Sequence, residues 1–142
     1  MGANVATLGN LLKNALFAAA KADATLWAAV GGRFYFVHAP AGATKPFLLY
    51  SLGATSARHA MGVSAPPASD IQLYFDIYSD SESSTESETI QKDIHTAFDS
   101  ASLSITGYAG MNMRRGPEIP IYEEETGLWH ISITYYAIAT KN

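Results

Sequence analysis

The chain contains no cysteine. That excludes a disulfide, a thiolate zinc site and a thiol nucleophile, so folding is indifferent to the redox state of its compartment. Charge is scarce as well, at 15% of residues against about 25% in ordinary soluble domains, which leaves more neutral surface for partners. No long uncharged apolar run is present. Residues 1 to 22 are partly apolar, but Lys13 and Lys21 interrupt them and no basic segment precedes them. Neither a signal peptide nor a membrane span fits, and the chain is expected to be soluble and made in the cytoplasm. Phosphate-cradling glycine loops, nucleophile elbows and paired metal ligands are also missing. At 142 residues the chain is of a size that buries one core without staples, so a single domain over residues 1 to 142 is expected.

What is present begins with Ile71-Gln72-Leu73-Tyr74-Phe75-Asp76-Ile77-Tyr78. Apolar side chains alternate with Gln72, Tyr74, Asp76 and Tyr78, the period of a strand with one buried face. The period then changes: Ile90, Ile94, Ala97, Phe98 and Ala101 recur at helical spacing. This predicts a helix over 84 to 101, opened by a capping box of Ser83 with Glu86 or Thr85 with Glu88. Upstream, Val5, Leu8, Leu12, Ala15, Leu16 and Ala19 mark a first helix. Asp23 caps a second helix through Leu26, Trp27 and Val30, which Gly31-Gly32 stop. Strands are predicted at 33 to 37, 46 to 52, 105 to 115 and 128 to 139, with a long connection over 53 to 69 and a Pro-bracketed extended piece from Pro117 to Pro120. In the last strand Trp129, Ile131, Ile133 and Tyr135 share one face, and His130, Ser132, Thr134 and Tyr136 the other. Helices at the start and middle of a run of strands predict an α+β fold, a mostly antiparallel sheet with helices packed on one face.

The net charge of −4 conceals a division. Residues 1 to 69 carry five basic groups and one acid, hence +4; residues 70 to 100 carry eight acids and one base, hence −7. Either the acidic block is the solvated face of one helix, or opposite patches meet between copies of the chain. On the second reading Glu82, Glu86 and Glu88 face a basic group such as Arg58, Lys13 or Lys21. Arg114 and Arg115 form the one dense basic pair, suited to a phosphate or a partner carboxylate. One such pair is too little for a nucleic-acid groove. Tyr74, Tyr78 and Tyr136 fall on the polar faces of their strands, and tyrosine is enriched where proteins meet. The alternative is that helices bury them.

Catalytic, metal and cofactor sites are not expected. His38, His59, His95 and His130 have no paired spacing, so a metal site would need distant residues to converge. His95 stands one turn from Asp99, at the spacing of a pair, but an ordinary surface contact is the expectation. Glu123 to Glu125 read as an exposed acidic turn, since consecutive carboxylates point apart. No serine stands at a fixed spacing from a general base.

The order of these pieces resembles a known family. The leading helix is followed by Ala22-Asp23-Ala24-Thr25-Leu26-Trp27-Ala28-Ala29-Val30-Gly31-Gly32-Arg33-Phe34-Tyr35, then Ala39-Pro40, then Lys45-Pro46-Phe47-Leu48-Leu49-Tyr50. With the strand Gln72 to Tyr78, the helix Glu86 to Phe98 and the closing Gly127-Leu128-Trp129-His130, this is similar to the tail completion or tail terminator proteins of long-tailed phages and gene transfer agents. The resemblance implies a structural, non-enzymatic virion protein at the head-proximal end of the tail, assembled in the host cytoplasm. It implies a homo-oligomer, a hexameric ring that caps the tail tube protein, meets the head-tail connector protein and lets DNA pass without sequence-specific binding, with no membrane partner. A connector, stopper or tube component is the near alternative. A small ligand-binding or hydrolytic domain is the distant one.

Overall fold

The computed structural model describes residues 8–58, 68–99, 101–105 and 107–141. Helices α1 (Leu8–Ala22) and α2 (Ala24–Ala29) lead into β1 (Phe34–Phe36), β2 (Phe47–Arg58) and β3 (Ala68–Ser79). Helix α3 (Thr85–Phe98) follows, then β4 (Ser102–Leu103), β5 (Tyr108–Glu123) and β6 (Leu128–Lys141). The strands form one six-stranded sheet in the order β1-β2-β3-β6-β5-β4. Only β1 and β2 run parallel; the remaining neighbours are antiparallel. This is the expected α+β architecture, with the helices on one face. No helix among the described residues is long and apolar enough to cross a membrane.

Local chemistry sets the helix ends. In α1 the buried residues Leu12, Leu16 and Ala20 recur every fourth position, which turns one apolar stripe to the sheet. Val5, expected in this helix, lies outside the described residues. The Asp23 carboxylate accepts from the Leu26 amide at 3.0 Å and starts α2. Gly31 and Gly32, at φ +59° and +74°, take the left-handed conformation that stops it.

Alternation in β3 and β6 builds the core. Ile71, Leu73, Phe75 and Ile77 are buried, as are Ile131, Ile133 and Tyr135. Phe75 sits at the centre, its ring 4.8 Å from Phe98 and 5.7 Å from Tyr135.

Three expectations are corrected. The described ends of the connection over 53 to 69 are strand: β2 continues to Arg58 and β3 begins at Ala68, paired Arg58 with Ala68. Residues 59 to 67 of that stretch, including His59, lie outside the described residues. The register slips between Leu52 and Thr55, where a Cβ on Gly53 would come within 2.5 Å of the Tyr74 ring. Glycine is thus required for the ring to lie over the bulge. The segment from Pro117 is likewise not a separate piece. It continues β5 past a second irregularity between Arg115 and Glu118, where a Cβ on Gly116 would meet the Tyr136 ring at 2.5 Å. Prolines are tolerated there because the described partner of this half of β5 is β6 alone, leaving an edge with no donor to lose. Finally, β4 is a short strand that the alternation did not predict.

Candidate functional surfaces

Because strand side chains alternate, the sheet has a second face that none of the described helices covers. It carries Gln72, Tyr74, Asp76 and Tyr78 of β3, and His130, Ser132, Thr134 and Tyr136 of β6. The tyrosines therefore lie opposite the helices, not beneath them. Tyr74 donates to Gln72 Oε1 at 2.8 Å and covers Gly53; Tyr136 covers Gly116. Tyr136 and Arg114 line a shallow depression of about 780 Å³ together with Ser56, Asp70, Gln72 and Asn112.

Lower on this face His130 joins three strands. Its ring stacks on Tyr78 at 4.3 Å and 14°. Nε2 lies 2.9 Å from Asp76 Oδ1, and Nδ1 lies 3.6 Å from Glu123 Oε1. The two carboxylates approach opposite nitrogens of one ring, so they do not converge on a common point. Burial, then the Asp76 and Glu123 charges, pushes the Tyr78 phenol above its ordinary range. The cluster fixes the end of β5 to β3 and so sets the direction of the β5–β6 hairpin. Among the described residues no group of three or more His, Cys, Asp or Glu side chains is placed to hold a metal ion.

Arg114 and Arg115 do not act as a pair. As neighbours in a strand they point to opposite faces: Arg114 joins the open face, while Arg115 reaches α3. There Arg115 Nη1 is 2.6 Å from His95 Nδ1, and Nη2 is 3.5 Å from Asp99 Oδ2. His95 pairs with Glu118 across elements, not with Asp99 one turn on. Asp99 instead accepts the Tyr135 hydroxyl at 2.7 Å. Burial first, and then this hydrogen bond, raises the Tyr135 pKa strongly. The network ties α3 to β5 and occupies Arg115 within the chain.

The acidic residues divide in the same way. Ser84 is the N-cap of α3, without a side-chain capping bond. Neither predicted box forms, because Glu86 turns inward and accepts from the fully buried Ser79 hydroxyl at 2.6 Å. Glu88 accepts from Ser84 Oγ at 2.5 Å and stays exposed; Glu82 is exposed too. The Arg58 side chain lies outside the described residues. Glu86→Ala should therefore destabilise the chain by about 1–3 kcal/mol, since Ser79 is left buried without its acceptor. Glu82→Ala should change stability by no more than about 0.5 kcal/mol. Urea unfolding of the two variants checks the difference.

The sequence reading missed the tip of β5. Ile119, Ile121 and Tyr122 are 56%, 43% and 47% exposed, a large apolar display for a surface strand. Ile119 and Ile121 pair with Ser132 and His130 and so share the open face, whereas Tyr122 packs on Trp129 at 4.9 Å. The available signal was alternation inside a Pro-containing stretch with no helix left to cover it.

The described residues thus combine an open tyrosine-bearing sheet face, an exposed apolar hairpin edge and polar clusters that brace the fold. The family described as "Tail completion protein gp17" matches residues 14–140. The chain belongs to this family. As a member it is a structural protein of a phage-type tail. No curated protein matches it. Among solved structures, a chain from the virion of a native gene transfer agent particle is similar at 17% identity and a TM-score of 0.75, over 91% of this chain and 94% of that one. At that identity the likeness establishes the shared fold.

Proposed function

We propose that the chain is a non-enzymatic, one-domain tail terminator. Six copies form a ring on the head-proximal end of the finished tail tube, end its growth and present a seat to the head-tail connector. DNA passes through the ring without sequence-specific contacts, and assembly takes place in the host cytoplasm. The family match over residues 14–140 carries this reading. The exposed Ile119, Ile121 and Tyr122 support it, because apolar side chains grouped on one edge belong where a partner removes them from water. A ring also needs a contact between unlike patches of identical subunits, which the basic first half and acidic middle of the chain supply.

Adding the purified chain to growing tubes of its own tail tube protein should arrest elongation and leave the tube ends unable to accept further subunits. Tubes that lengthen at the same rate with the chain bound along their sides would remove the terminator role.

A further inference from the structure

The helical layer has two unlike surfaces. Helix α1 contains no acidic residue and turns Asn14, Phe17 and Lys21 outward. Phe17 remains 38% exposed although its ring meets Trp27 at 5.5 Å and Phe34 at 6.1 Å. Lys13 and Lys21 stand one helical turn to either side of it, Lys13 lying over the Phe36 ring at 4.9 Å. This is a basic stripe with an aromatic centre, on a helix that packs over β1 and β2 and reaches β4.

Helix α3 lies over β3, β6 and β5 instead. Between it and the β5–β6 hairpin runs a groove of about 660 Å³, with Glu88 and Lys92 on the helix wall and Pro120, Trp129 and Ile131 on the strand wall. The Trp129 indole N–H is buried and meets no acceptor among the described residues, whereas buried donors are nearly always paired. Tyr122 extends the apolar wall by its contact with Trp129, and its exposure leaves that wall unfinished.

We infer that this groove seats α1 of a second copy of the chain, an inference that rests on the ring proposed above. Phe17 enters between Pro120 and Trp129, and Lys21 meets Glu88. Charge sets the direction of the helix. Lys13, beside Asn14, lies over the Phe36 ring of its own chain, so Lys21 is the cation that meets Glu88 and the Lys21 end of α1 lies there. Stripe and groove are different patches of one molecule, so the contact is heterologous and propagates from copy to copy.

The absence of cysteine permits a direct test. Lys21→Cys and Glu88→Cys chains are prepared separately, checked for wild-type helicity, and treated with a short thiol-to-thiol cross-linker, alone and mixed, both in purified assemblies and in particles. A covalent dimer should form in the mixture and in neither variant alone. In charge-reversed chains, Lys21→Glu and Glu88→Lys should each lower ring yield several-fold, and the combined variant should regain it. Folded variants that support tailed particles but give no mixed dimer would overturn the inference, as would a combined variant that regains nothing. A mixed dimer from a protein found away from tube ends would uphold the contact while removing the terminator role.

Discussion

Particles assembled without this protein should carry tails of abnormal length, or tails unattached to heads. A tube built from identical subunits has no intrinsic stopping point, because each added ring recreates the surface to which the next one binds. Growth ends only when something occupies that surface without offering a copy of it. A protein with one partner-facing surface toward the tube and a different one toward the head does this. Its loss frees the tube end and removes the seat for the connector at once. Electron micrographs of particles from a deletion strain, with tail lengths measured, check both effects. Normal-length tails joined to filled heads would remove the terminator reading, and complementation with the wild-type chain guards against a polar effect on neighbouring genes.

Phe75→Ala should abolish stable folding under conditions in which Ile121→Ser stays folded. Phe75 is fully buried and in ring contact with Phe34, Phe98 and Tyr135. It thus joins the β1–β2 side of the sheet, α3 and β6 at one point. Removing a buried phenylalanine costs about 3–5 kcal/mol, a large part of the roughly 5–15 kcal/mol available to a domain. Ile121, at 43% exposure, has less burial to lose, so its change to serine should shift stability by about 1–2 kcal/mol while weakening capture at tube ends. Urea unfolding of both variants, with the tube-arrest assay on the second, separates residues that hold the fold from those that meet a partner. Equal losses of stability would mean that the β5 tip is part of the core.

The parts of the fold that could be read in the sequence are those whose cause is local. Alternation through Ile71 to Tyr78 and Leu128 to Ala139 depends only on which face is buried, and it placed the core face of β3 and β6. The Asp23 cap and the Gly31-Gly32 stop are backbone chemistry within a few residues. What escaped depends on distant partners. Gly53-Ala54-Thr55-Ser56 reads as loop until Tyr74, from another strand, is laid over Gly53. Pro117 and Pro120 read as strand breakers until the half of β5 that holds them is known to pair, among the described residues, with β6 alone. The same limit applies to the surfaces. Tyr74, Tyr78 and Tyr136 were identified by alternation alone, yet Glu86 and Arg115, equally plausible by charge, are drawn into contacts with Ser79 and with His95 and Asp99. Charge in a sequence says what a residue offers, and the fold decides whether a neighbour in the same chain has already taken it.

The position of the protein in the particle is the most direct test of the terminator role. Imaging of intact particles by electron cryomicroscopy, with the chain carrying a small density label at its C-terminus, locates it without reference to phenotype. A single ring of labels between the last tube ring and the head connector is expected, with none along the tube. Labels repeating along the tube, or confined to the end far from the head, would contradict it.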